Sequence, residues 1–113
     1  MNHLCKKKAF LYLEKYAEKD IHRIAKLFAD DILLRDWKIK VKGKDEAINE
    51  TQKNFLSVDT LQIDILGYYE NQDTIALELK ITIDHKEELY VMDVIKVNSE
   101  GKIISIKAFL GRD

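Results

Sequence analysis

Ile75-Ala76-Leu77-Glu78-Leu79-Lys80-Ile81-Thr82-Ile83 repeats with a period of two. Ile75, Leu77, Leu79, Ile81 and Ile83 fall on one side, with Ala76, Glu78, Lys80 and Thr82 on the other. Successive strand side chains point to opposite faces, so this pattern predicts a half-buried β-strand. Upstream, Leu61, Ile63 and Ile65 alternate with Gln62 and Asp64 in the same way. Downstream, Leu89 to Val97 is apolar on both faces, which predicts a central strand, and Ile103 to Leu110 predicts the last one. The polar breaks Asn71-Gln72-Asp73, His85-Lys86-Glu87 and Asn98-Ser99-Glu100-Gly101 read as hairpin turns.

The N-terminal part of the chain carries the helical period instead. Ala9, Tyr12, Leu13 and Tyr16 make one face of a first helix. Asp20 is a good N-cap for a second, in which Ile21, Ile24, Ala25 and Phe28 follow the i, i+3, i+4, i+7 pattern and Asp30 and Asp31 close it. Ile32 to Trp37 reads as a short strand. Asp45 is expected to cap a third helix that runs to about Leu56, with Ala47, Ile48 and Phe55 on its apolar side. Helices followed by a strand meander predict an α+β domain in which a curved antiparallel sheet has its concave face covered by helices. With no proline, four glycines and no linker or repeat, residues 1–113 read as one domain.

Composition narrows the function. A hydrophobic share of 46% with 35% charged residues suits a folded, water-soluble chain. The net charge of -1 offers no pull toward nucleic acid or a membrane, and no apolar run reaches the ~20 residues of a membrane span. The short run Lys6-Lys7-Lys8 reads as a solvated helix end. One cysteine, Cys5, and no recognisable signal peptide lead us to expect a reducing cytoplasm. There is no glycine-rich phosphate loop. His3, His22 and His85 lack zinc-ligand spacing, and Ser57, Ser99 and Ser105 lie in no nucleophile elbow. Neither a metal nor a cofactor is expected.

The informative residues are polar groups on apolar faces. Asp93 shares a face with Leu89, Val91, Ile95 and Val97, Asp36 follows Ile32 and Leu34, and Tyr12 lies on the inward face of the first helix. A buried carboxyl without a cation tends to stay protonated. Beside a phenol it would form an oxyanion hole, and an ionised aspartate opposite could then remove a proton next to a carbonyl. The structural alternatives are equally concrete. Asp93 could be ion-paired or bonded to backbone amides, Asp36 could lie at a sheet edge beside Arg35, and Tyr12 could fill the core with its hydroxyl at the rim.

Leu27-Phe28-Ala29-Asp30-Asp31-Ile32-Leu33-Leu34-Arg35-Asp36 resembles the "LFADD…D" stretch of the ketosteroid-isomerase branch of the SnoaL-like family. Met92 to Val97 and Gly101 to Phe109 resemble that family's last hairpin, and Gly43 followed by Glu46-Ala47-Ile48 resembles the start of its third helix. The resemblance implies a cone of the nuclear-transport-factor-2-like type, with three N-terminal helices packed on a curved, mixed-edge sheet around a pocket. Counted without gaps from Phe28, Tyr12 falls on the oxyanion-hole tyrosine of the steroid isomerases, Asp36 on their base and Asp93 on their protonated aspartic acid. Those isomerases keep that acid neutral in an apolar site.

The implied activity is a cofactor-free isomerase acting on a small apolar carbonyl compound. Trp37, Tyr16, Phe28, Phe55, Val91 and Phe109 are expected to line its pocket. The expected partner is a second copy of the chain, paired through the sheet by Tyr68, Tyr90, Met92 and Val94. The alternatives are a polyketide cyclase or dehydratase, or a non-catalytic binding or dimerisation module. Trp37 stands where the family usually has proline, Gln52 stands about where some isomerases place a second tyrosine, and the loop from Asp36 to Gly43 is shorter than theirs.

Overall fold

A computed structural model describes residues 3–113. The order of elements is α1 (Leu4–Ala17), α2 (Ile21–Leu27), β1 (Phe28–Arg35), β2 (Lys40–Lys42), α3 (Lys44–Leu56), β3 (Leu61–Glu70), β4 (Thr74–Ile83), β5 (Glu87–Val97) and β6 (Ile103–Leu110). The strands form one six-stranded curved sheet in the order β2-β1-β6-β5-β4-β3. Every neighbouring pair is antiparallel except β1 and β6, which are parallel. The fold is α+β, as the sequence implied. The doubly apolar stretch in β5 is central, lying between β4 and β6.

Helix α1 buries Cys5, Ala9, Tyr12 and Leu13, a stripe at helical spacing, against the concave face of the sheet. Opposite it, Ile75, Leu77 and Leu79 of β4, Ile95 of β5 and Ile106 of β6 are buried. The stripe on β4 continues into Ile81 and Ile83, but these are only half-buried. The inner face of the sheet is therefore solidly packed at one end and left open at the other, and the open end becomes a cavity.

Local structure departs from the sequence reading in four places. Helix α2 has seven residues and stops at Leu27, and Phe28 to Asp31 belong to β1. Phe28 fits either period, and its pairing with Ile103 of β6 decides for strand. Asp30 and Asp31 lie exposed where the β1–β6 register shifts, between Phe28 and Leu33, so they do not close the helix. Asp20 does cap α2, accepting from the Arg23 backbone N–H at 3.1 Å.

The N-cap of α3 is Gly43, with no side-chain cap bond. Asp45 sits inside the first turn with Glu46, where acid is favoured by the helix dipole. The short strand β2 was not expected, because Lys40-Val41-Lys42 is too brief to show a period. It pairs Val41 with Leu34 and folds back on β1. A bulge between Ile65 and Gly67 shifts β3 by one residue and brings Tyr68 opposite Leu77 on the inner face. Tyr68 there meets Phe10 edge-on at 5.5 Å and accepts from Lys6 Nζ at 2.8 Å, so it does not join Tyr90, Met92 and Val94 on the outer face.

Candidate active site

The open end of the cone is a cavity of about 280 Å³. Helix α1 contributes Tyr12, Leu13 and Tyr16. The end of β1 and the turn after it contribute Leu34 to Ile39, and α3 contributes Glu50, Thr51 and Asn54, with Ser57 at its C-cap. Strands β3 to β6 supply an apolar floor that includes Ile63, Ile81, Leu89, Val91, Ile106 and Ala108, together with Asp93. Tyr12, Asp36 and Asp93 thus lie on the wall of one cavity.

Asp93 is buried, with 7% of its surface exposed. On β5 it pairs with Leu77 of β4 and Ala108 of β6, and Ala108 lines the cavity beside it. No cation faces it, and burial alone pushes its carboxyl from 3.8 up to about 7. Tyr12, 4% exposed, packs its ring on Tyr16 at 5.7 Å and on Phe28 at 6.1 Å. Burial drives the Tyr12 phenol well above its ordinary value, and the carboxyls of Asp93 and Asp36 add to that, so it stays protonated. Among the described residues no fully enclosed side-chain oxygen or nitrogen lacks a partner. Neither the Tyr12 hydroxyl nor the Asp93 carboxyl has a protein partner, so both open onto the cavity.

Asp36 is held differently. Its Oδ1 accepts from the backbone N–H groups of Lys38 at 2.7 Å and Ile39 at 2.8 Å, and its own N–H donates to the Ile39 carbonyl at 2.9 Å. These bonds tie the turn that follows β1 and fix the carboxylate at the cavity wall, with Oδ2 left for another partner. Arg35 does not pair with it in a salt bridge; its guanidinium lies 4.8 Å over the Phe109 ring. A protic pair that can hold negative charge therefore shares a cavity with an oriented carboxylate.

The SnoaL-like domain family matches residues 11–106. The chain belongs to the SnoaL-like family. A comparison with curated proteins returned no significant match. Among solved structures, the SnoaL-like chain is similar to a candidate ketosteroid isomerase from Kribbella flavida, at 15% identity and a TM-score of 0.85, with 98% of this chain and 80% of that one covered. It is also similar to a candidate polyketide cyclase from Sinorhizobium meliloti, at 12% identity and a TM-score of 0.81, covering 90% and 93%. A computationally designed 17-OHP binder gives 16% identity and a TM-score of 0.83, covering 96% and 94%. At these identities the structural likeness shows the fold alone.

Of the six residues expected to line the pocket of this SnoaL-like domain, Trp37, Tyr16 and Val91 do so, and Phe28, Phe55 and Phe109 do not. Phe28 and Phe55 are buried one layer behind, under Tyr12 and Tyr16 respectively. Ile106 and Ala108 face inward, so alternation turns Phe109 outward, where it is 43% exposed. Trp37 is also 43% exposed and stands at the cavity edge.

The sequence reading missed the polar wall from α3. Glu50, Asn54 and Ser57 are spaced i, i+4, i+7 beside the buried stripe Ala47, Thr51 and Phe55. That spacing was the available signal, but polar residues beside a core stripe look like a solvated face. Gln52 is exposed, and Tyr16 supplies the second phenol from α1 instead. Among the described residues no group of three or more His, Cys, Asp or Glu side chains is placed to hold a metal ion.

Proposed function

We propose that this SnoaL-like protein is a cofactor-free, ketosteroid-isomerase-like enzyme that moves a proton next to the carbonyl of a small apolar compound. The observation that carries the reading is the pair of unpartnered groups, Tyr12 and Asp93, on one cavity wall with Asp36. The substrate carbonyl oxygen accepts from Tyr12 Oη and from the Asp93 carboxyl. Asp36, through Oδ2, takes the proton from the adjacent carbon. The enolate charge collects on the oxygen that the two donors hold. Asp36 then returns the proton to the far carbon of the conjugated system, and the double bond moves without any external reagent. The apolar floor formed by Ile63, Ile81, Val91 and Ile106 strengthens both hydrogen bonds.

The test is conversion of β,γ-unsaturated ketones to conjugated enones, followed by ultraviolet absorbance. A Δ5-3-ketosteroid and a single-ring 3-cyclohexenone would both be assayed. Asp36→Asn is expected to lower kcat about 10²–10⁴-fold and Tyr12→Phe about 10²–10³-fold. Thermal melts should stay near the parent. Parent and variants turning over alike, or no turnover of either ketone, would remove this assignment.

A second reading has one observation in its favour: Asp36 Oδ1 is already committed to its turn. On that reading the protein is a non-catalytic binding module, like the designed 17-OHP binder of the same fold. A cyclase or dehydratase would use the same cavity, and product analysis separates it. We further propose that two copies pair through the outer sheet face, where Tyr90, Met92 and Val94 are half-buried and Phe109 is exposed. A chain that sediments as a monomer at every concentration would end that idea. The lone cysteine, buried as a free thiol, suits a cytoplasmic setting.

A further inference from the structure

The protic groups on the cavity wall are not all available to a ligand. Thr51 Oγ1 donates to the Ala47 carbonyl at 2.8 Å, and Ser57 Oγ to the Asn54 carbonyl at 2.7 Å, so both hydrogens are spent. Tyr16 is different. Its Oη accepts from Asn54 Nδ2 at 3.2 Å, and among the described residues its own hydrogen has no acceptor. A phenol that accepts one bond becomes a better donor of the next. Its ring is held edge-on between Tyr12 at 5.7 Å and Phe55 at 4.9 Å, so the direction of the hydroxyl is largely set before any ligand arrives.

Tyr12 and Tyr16 are four residues apart on α1, about 6 Å along the axis, and their ring centroids lie 5.7 Å apart. Tyr12 is enclosed, whereas Tyr16 reaches the exposed Asn54. The cavity therefore has an inner donor station, Tyr12 with Asp93, and an outer one, Tyr16 with Asn54, with an apolar floor beneath both. Two hydroxyls on rings so separated serve two oxygens better than one, since each needs its acceptor at about 2.7 Å.

Size adds a limit. The cavity measures about 280 Å³. That is just below the roughly 300–1,000 Å³ of pockets that take drug-sized ligands.

We infer that the substrate is a compact ring ketone of one or two rings carrying a second oxygen acceptor about one helical turn from its reactive carbonyl, and that Tyr16, polarised by Asn54, selects for it. This rests on the inner station acting as the oxyanion hole. Burial holds the Tyr16 phenol up at about 12, which keeps its hydrogen in place.

Two phenols of matched shape test the inference. In each, the phenol oxygen stands in for the enolate at Tyr12 and Asp93. 4-Methoxyphenol places a second oxygen across the ring, and 4-ethylphenol places a methylene there. Affinities are measured by isothermal titration calorimetry. The parent is expected to bind 4-methoxyphenol about 2–10-fold more tightly, the worth of one net hydrogen bond. Tyr16→Phe keeps the ring and its packing and should erase that preference. Asn54→Leu should shrink it. Tyr12→Phe should weaken both phenols alike. Equal affinities in the parent, or a preference that survives Tyr16→Phe, overturns the outer station. If Tyr12→Phe affects neither phenol, or neither binds, the oxyanion reading fails and takes this inference with it.

Discussion

Asp93 keeps its proton because β5 carries it into apolar surroundings that contain no cation. A value of about 7 in the folded chain against 3.8 for an ordinary aspartate means that the native state holds a proton the unfolded chain has released. Its contribution to stability is whole below pH 3.8. It is lost as the pH rises toward 7, at about 1.4 kcal/mol per pH unit. Asp93→Asn, which cannot ionise, is therefore expected to melt above the parent at pH 8 and level with it near pH 4. Activity should follow the same group. Parent turnover should fall above about pH 7 as the donor ionises, and the Asn variant should lack that limb. Calorimetry across pH and a pH–rate profile read the two effects, and identical melting curves at pH 8 would contradict the buried, uncompensated carboxyl. Asp93 was legible in the sequence because it interrupts an apolar face. Glu50 and Asn54 were not, because a polar residue beside a helical core stripe looks the same whether water or a cavity faces it. Phe28 and Phe55 were misplaced for a related reason: an aromatic side chain announces burial, not which side of the phenols it fills.

The elements that carry these residues depend on a few backbone positions. Gly43 ends β2's hairpin and starts α3 at φ +100°, ψ 148°, a region that L side chains rarely enter. Its N–H donates to the Ile32 carbonyl at 2.8 Å and its carbonyl accepts from Ala47, so strand and helix are joined at this residue. A Cβ there meets open space, so the cost of substitution is conformational and not steric. Gly43→Ala is expected to destabilise the fold by about 1–3 kcal/mol, read from urea unfolding, and a loss below about 0.5 kcal/mol would refute the strain argument. The strand β4 and the central place of β5 were readable because ten alternating residues leave little ambiguity. The end of α2 was not, since Phe28 satisfies both periods and its strand partner Ile103 lies far along the chain. Nor was the inward turn of Tyr68, which depends on a bulge that shifts the alternation by one.

Across the whole molecule, tight packing and the cavity occupy opposite ends of one sheet face. Leu77 lies in the packed end and Ile83 in the cavity wall of the same strand. Leu77→Ala is expected to cost about 2–5 kcal/mol, because it removes apolar contacts and leaves a void. Ile83→Ala should cost only about 1 kcal/mol, since a half-buried side chain beside an existing cavity loses part of its transfer energy and opens little new void. Chemical denaturation of the two variants checks this, and equal losses would mean the cavity end is as tightly packed as the other. The order of amino acids alone set the types of the longer elements, the α+β class and the three polar residues that an apolar interior would have to accommodate, because period and polarity are local properties of a chain. The parallel pairing of β1 with β6, which aligns Leu34 with Ile106 and brings the end of β1 toward the floor beneath Asp93, was decided only in three dimensions. So were the open end of the cone and the placing of Tyr12 and Tyr16 on its wall. Strand partnership and void are sums over contacts between residues distant along the chain, and no local pattern encodes which of those contacts are left unmade.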